Sequence, residues 1–120
     1  MKIKHYSVLD TAAQAFLNLI AFPTDSAAIR WFDHQVNQGD KQTSNFAAYP
    51  QQFILYRIGE MDDKTGHFET LDTPIELITG TAVQEEAAKA FTVRELITAL
   101  ESHFRSNNII DFPSTKEEQQ

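Results

Sequence analysis

Residues 52–60, QFILYRIGE, form the stretch that decides how this chain folds, because their apolar side chains divide between the two faces of a strand. The two resulting faces are Ile54, Tyr56 and Ile58 on one side and Phe53 and Leu55 on the other. A period of two is typical of a β-strand, in which successive side chains point to opposite faces. Residues 61–66, MDDKTG, have the Asp and Gly content of a tight turn, and 67–71, HFETL, follow as a second strand. This segment is therefore predicted to be a hairpin, and residues 73–80 are predicted to pack across a sheet edge.

A second hairpin is predicted at the start of the chain. Residues 3–9, IKHYSVL, are rich in β-formers, and residues 15–22, AFLNLIAF, form another apolar run after a short connection. The second run carries apolar residues at both odd and even positions, so it fits either a strand covered on both faces or a short helix. An antiparallel pair is the preferred interpretation.

A helix is predicted between the two hairpins. Pro23 ends the preceding apolar run, and Thr24 or Asp25 can cap a helix that begins at Ser26. Its apolar face consists of Ile29, Phe32 and Val36, with Ala28 and Trp31 alongside. Gly39 is the predicted stop, since glycine is common just after a helix.

The last part of the chain has a strong local signal for the start of a helix. Thr92 is predicted to be the N-cap, Glu95 would complete a capping box, and Phe91 would contact Leu96 as a hydrophobic staple. Residues 83–90 are predicted to form a preceding short helix. The predicted apolar stripe of the capped helix consists of Val93, Ile97, Leu100 and Phe104, with Leu96 beside it.

Together these elements predict an α+β fold: a small antiparallel sheet from two β-hairpins, a packed helix between them and a C-terminal helical extension. Residues 1–80 are predicted to form the domain, 81–107 the helical extension and 108–120 a flexible acidic tail. A chain of 120 residues, 42% hydrophobic and 22% charged, has room for one modest core.

Composition excludes several classes of function. The chain has no cysteine, so thiolate catalysis and cysteine-ligated metals are excluded. No phosphate-binding glycine loop, nucleophile elbow or paired-histidine motif occurs in the sequence, so no enzyme activity, metal or cofactor is predicted. The acidic residues around the second hairpin turn, Glu60, Asp62, Asp63, Glu69 and Asp72, lack the ligand spacing of a calcium loop. No apolar run approaches the roughly 18 residues of a membrane span, and the chain is predicted to stay in the cytoplasm.

A candidate nucleic-acid surface consists of Arg30, Trp31, Tyr56 and Arg57, which combine aromatic rings with cations. The competing interpretation is that Trp31 and Tyr56 pack the helix on the sheet. The formal net charge of -7, with scattered basic residues, argues against a general DNA-coating protein.

Two segments of the sequence resemble the small nonstructural protein of gokushoviruses, phages of the Microviridae with single-stranded DNA. They are YSVLDTAAQAFLNLIAFPTDSAAIRWFDHQVN, residues 6–37, and YPQQFILYRIGEMDDKTGHFETLDTPIELITG, residues 49–80. The matching positions of the helix are Ala28, Ile29, Arg30, Phe32, Val36 and Asn37. Those of the hairpin are Leu55, Tyr56, Ile58, Gly59, Glu60, Asp62, Asp63, Thr65 and Gly66. The residues after Gly80 lie outside the family pattern.

The resemblance implies a phage nonstructural protein with an accessory role in viral DNA replication or packaging in the host cell. Two modes of action stay open: contact with viral single-stranded DNA, or a non-enzymatic adaptor that binds a viral or host protein without DNA contact.

An isolated amphipathic helix gains its stability from packing, so the apolar stripe of the C-terminal helix must be covered. The helix can either fold back on its own sheet or dock on a partner subunit. Because the first 80 residues already resemble a complete family domain, a homodimer is predicted, with an interface formed by Phe91, Val93, Leu96, Ile97, Leu100 and Phe104.

Overall fold

The computed structural model describes residues 1–107, without the side chains of Phe91 and residues 104–107. Contacts divide the chain into a unit Met1–Glu86 and a second unit that begins at Ala87. The predicted tail, residues 108–120, lies outside the described residues. The elements are β1 (Lys2–Asp10), β2 (Ala15–Phe16), β3 (Ile20–Phe22), α1 (Asp25–Asn37), α2 (Asn45–Ala48), a 3-10 turn (Pro50–Gln52), β4 (Phe53–Asp62), β5 (Phe68–Thr79) and α3 (Gly80–Asn107).

The described strands form one antiparallel sheet in the order β2-β1-β4-β5, with β3 also paired to β1. β1 is therefore central and joins the two hairpins, with Val8 opposite Leu55 and Leu9 opposite Ile54. The predicted α+β architecture and both hairpins are confirmed. α1 begins one residue before the predicted Ser26, and Thr24 caps it by accepting a hydrogen bond from the amide of Ala27 at 3.1 Å.

The core lies between α1 and one face of the sheet. It contains Tyr6, Val8, Ala28, Phe32, Val36, Phe53, Leu55 and, from the first turns of α3, Val83. The α1 members recur at a spacing of four, which puts them on one side of the helix. The sheet members occupy alternate positions of β1 and β4, and so share one face.

Residues 15–22 are neither one strand nor a helix, because β2 and β3 are separate short strands. Between them the amide of Leu17 donates to the carbonyl of Val8 at 2.9 Å, and the Leu17 carbonyl accepts from the hydroxyl of Ser7 at 2.7 Å. These bonds hold the chain to β1 while it bends. Leu17 and Leu19 are exposed. A strand covered on both faces would bury its apolar residues at odd and even positions alike, and residues 15–22 do not.

The prediction that residues 73–80 pack across an edge of the sheet is wrong. Residues 73–79 continue β5, which is itself the edge strand. An edge strand tolerates Pro74, since its missing N–H breaks no ladder bond on the solvent side. The register shifts where Arg57 pairs with Ile75 and Gly59 with Thr70. At Gly59 a Cβ would lie 2.3 Å from the carbonyl oxygen of Glu69, so only glycine permits this close approach.

The predicted helix start at Thr92 is wrong, because α3 runs without a break from Gly80 to Asn107. Thr92 lies inside it and donates its hydroxyl to the carbonyl of Ala88 at 2.9 Å. At the true start, the amide of Ala82 donates to the hydroxyl oxygen of Thr79 at 3.0 Å, an N-cap contact. The alanine-rich segment that follows favours a helix and contains no proline or glycine to stop it.

Candidate interaction surfaces

Arg57, a predicted DNA-contacting residue, is engaged in an internal network. Its Nη1 lies 3.6 Å from Oδ2 of Asp25, whose Oδ1 accepts a hydrogen bond from the hydroxyl of Tyr6 at 2.6 Å. Tyr6 is fully buried, and burial together with the hydrogen bond to Asp25 raises the pKa of its hydroxyl above the ordinary value. Asp25 also stands in the first turn of α1, where a negative charge is favourable. The guanidinium of Arg57 therefore balances a charge of its own chain.

Trp31, the second predicted residue, is part of an aromatic cluster. Its ring centroid lies 5.7 Å from that of Phe22 and 6.1 Å from that of Phe46, and the side chain is half-buried. Rings at this separation contribute packing energy beyond the area that they bury. Trp31 thus packs against the edge of the core, and its neighbour Arg30 is exposed on α1.

Tyr56 lies on the opposite face of the sheet from α1. It pairs with Ser7 and alternates with Leu55 and Arg57, which belong to the helix-covered face. Its ring meets that of Phe16 edge-on with centroids 5.3 Å apart. The structure therefore does not bring the four predicted residues to one surface, and DNA contact by any of them stays a prediction.

Sequence reasoning placed Ile54 and Tyr56 on one face of β4 but did not identify this second sheet face as a candidate surface. Leu9, Ile54 and Tyr56 lie on it half-buried and outside the core cluster, and Phe16 is 45% exposed. The signal was present in β4, since a strand with apolar residues at both odd and even positions has two apolar faces.

The apolar stripe of α3 is exposed in the described part of the second unit. Val93, Leu96, Ile97 and Leu100 are 56, 59, 53 and 47% exposed. Their spacing places them along one side of α3, as the predicted apolar stripe requires. Phe91 and Phe104, the other two predicted interface residues, have side chains outside the described part. We call Val93, Leu96, Ile97 and Leu100 the α3 stripe.

The acidic second hairpin is tied to the start of the chain. The carboxylate of Asp63 lies 3.0 Å from the amino-terminal nitrogen of Met1, and that of Glu69 lies 3.4 Å from Nζ of Lys2. Asp62 accepts a hydrogen bond from the amide of Lys64 within the turn. Among the described residues, no group of three His, Asp or Glu side chains is placed to hold a metal ion. In the same part of the chain, no helix has the length and apolarity needed to span a membrane.

Comparison with known proteins links the first unit to phages. The family model described as "Phage ORF5 protein" matches residues 3–84. Protein ORF5 of Chlamydia phage 1 is 35% identical over 80 residues, which cover 65% of this chain and 82% of that protein. No solved structure matches significantly. The resemblance to a phage protein family is thus confirmed, and the match ends near the first turns of α3, before the α3 stripe. This chain belongs to the phage ORF5 protein family.

Proposed function

We propose that this protein is a non-enzymatic accessory factor in viral DNA replication or packaging that acts in the host cell through protein contacts. We further propose that it works as a homodimer held by the α3 stripe. The exposed α3 stripe is the observation that carries this proposal, because it is a row of large apolar side chains at helical spacing.

Physical chemistry supports a covered stripe. Exposed apolar surface costs roughly 25 cal/mol for each Å² left in water. A single helix is marginal in water and gains its stability from packing on another element. A symmetric pair of identical helices covers two stripes at once, and twofold dimers are the commonest soluble assemblies.

The charges favour protein contact over DNA contact. The formal net charge is -7, whereas affinity for DNA comes largely from lysine and arginine that neutralise phosphates. Arg57, one of the two arginines of the predicted DNA surface, already faces Asp25. The basic residues that could neutralise a phosphate backbone are therefore either scattered along the chain or, like Arg57, paired with a carboxylate of the same chain.

Binding of single-stranded DNA is the second candidate, favoured by the aromatic pair Tyr56 and Phe16 on the second sheet face. Aromatic side chains on an open sheet can stack with bases.

We expect a titration with labelled single-stranded DNA to show no binding, even at low salt. Binding that weakens with salt, by a slope of about 0.7 per phosphate neutralised, would instead support this candidate. Loss of that binding in Tyr56→Ala, but not in the exposed control Tyr49→Ala, would place it on this face.

A test of the biological role introduces Ile97→Asp into the phage genome. We expect fewer viral genomes per cell if the dimer serves replication, or fewer packaged genomes at normal copy number if it serves packaging, both counted by quantitative PCR. The control is Ser102→Asp, which adds the same charge to an exposed position on the far side of α3. Wild-type yields of both DNA populations in Ile97→Asp would contradict the proposal.

A further inference from the structure

We propose that two copies of α3 pair antiparallel, with Arg94 of each chain facing Glu101 of the other. This inference rests on the proposed self-association and specifies its partner, orientation and register. It is drawn from the spacing of the α3 stripe and from the charges beside it.

The spacing of the α3 stripe is suited to a pair of helices. Val93, Ile97 and Leu100 follow one another at intervals of four and three residues. This repeat is typical of the seam, the row of residues on each helix that contacts the second helix of a pair. Arg94 and Glu101 each directly follow a seam residue and are seven residues apart, so they flank the seam on the same side. Both are exposed, and neither forms an ion pair with another described residue of its own chain.

A parallel arrangement in register would bring like charges together. In parallel helix pairs the residue before one seam position approaches the residue five places later on the second helix. That rule places Lys89 of each chain beside Arg94 of the other, twice in a symmetric dimer. Like charges at these flanking positions disfavour the arrangement.

An antiparallel arrangement brings opposite charges together. When Ile97 of one chain packs against Leu100 of the second copy, Arg94 comes beside Glu101 of that copy, and the twofold axis repeats the pair. Moving the helices by one heptad would place the two Arg94 side chains side by side. The charges therefore select both the direction and the register.

Charge reversal tests the arrangement in the full-length protein. Arg94→Glu alone and Glu101→Arg alone each place like charges at both contacts, and we expect each to weaken the dimer about tenfold. A mixture of the two variants restores both opposite-charge contacts, so it should form a heterodimer of about wild-type affinity. If Arg94→Glu instead tightens the dimer, the helices are parallel, because the change would relieve the contact with Lys89.

A distance measurement tests the direction independently. The chain has no cysteine, so Ala88→Cys on the exposed outer side of α3 accepts one spin label. In the antiparallel register the two labels lie about 32 Å apart along the axis, at 1.5 Å per residue. In a parallel pair the separation is about 20 Å, set by the width of two helices. A short distance overturns the orientation alone, whereas a monomer without any label-to-label distance overturns the proposed dimer as well.

Discussion

Replacing Ile97 with aspartate is expected to convert the dimer to monomer at micromolar concentration. The substitution places two carboxylates in the centre of the proposed apolar interface, where a charge without a partner is costly. It also removes the apolar area that each side chain would bury. We expect the dissociation constant, measured by sedimentation equilibrium, to rise at least about 100-fold. That rise corresponds to a loss of about 2.8 kcal/mol of binding free energy, since each 1.4 kcal/mol changes the dissociation constant tenfold.

The control for this prediction is Ser102→Asp, which adds an identical charge outside the α3 stripe and is expected to leave the dissociation constant unchanged. Both variants should keep the same melting transition of the first unit, because neither substitution touches its core. An Ile97→Asp protein that dimerises as tightly as the wild type would show that the α3 stripe is not the interface.

Replacing Phe32 with alanine is expected to give the largest loss of folding stability. Phe32 is fully buried, and its ring centroid lies 6.5 Å from that of Trp31 and 6.2 Å from that of Phe46. Removing a buried phenyl ring costs about 3–5 kcal/mol, which is a large part of the stability of a small domain. Urea unfolding followed by circular dichroism measures this loss.

The comparison variant for Phe32→Ala is His34→Ala, on the exposed side of the same helix. We expect its free energy of unfolding to stay within about 0.5 kcal/mol of the wild type. Equal effects of the two substitutions would contradict the assignment of α1 to the core.

Sequence patterns predicted the two hairpins and α1 because each has a local cause. The short run of β-forming apolar residues at 53–56 favours a buried strand, and Thr24 marks the start of α1 by its hydroxyl. The start of α3 was missed because the true cap, Thr79, follows a run that pairs with β4 as a strand. A Thr-x-x-Glu pattern fits a helix interior as readily as a helix start, so Thr92 and Glu95 gave a false boundary.

The candidate surfaces were predictable only in part. The α3 stripe followed from helical spacing, and its described members are exposed on the single chain. Tyr56 and Arg57 are neighbours in one strand, so their side chains had to point to opposite faces, and the sequence alone was sufficient to separate them. The pairing of Arg57 with Asp25 was not predictable, because it joins β4 to α1 and depends on how the helix is placed on the sheet.

The proposed homodimer through α3 is tested most directly by light scattering on the full chain and on a version that ends at Glu86. The shortened version retains Val83, which belongs to the core, and lacks the α3 stripe. We expect the full chain to have twice the 13.6 kDa mass of one chain and the shortened version to be a monomer. A monomeric full chain, or a shortened version that remains dimeric, would contradict the proposed homodimer.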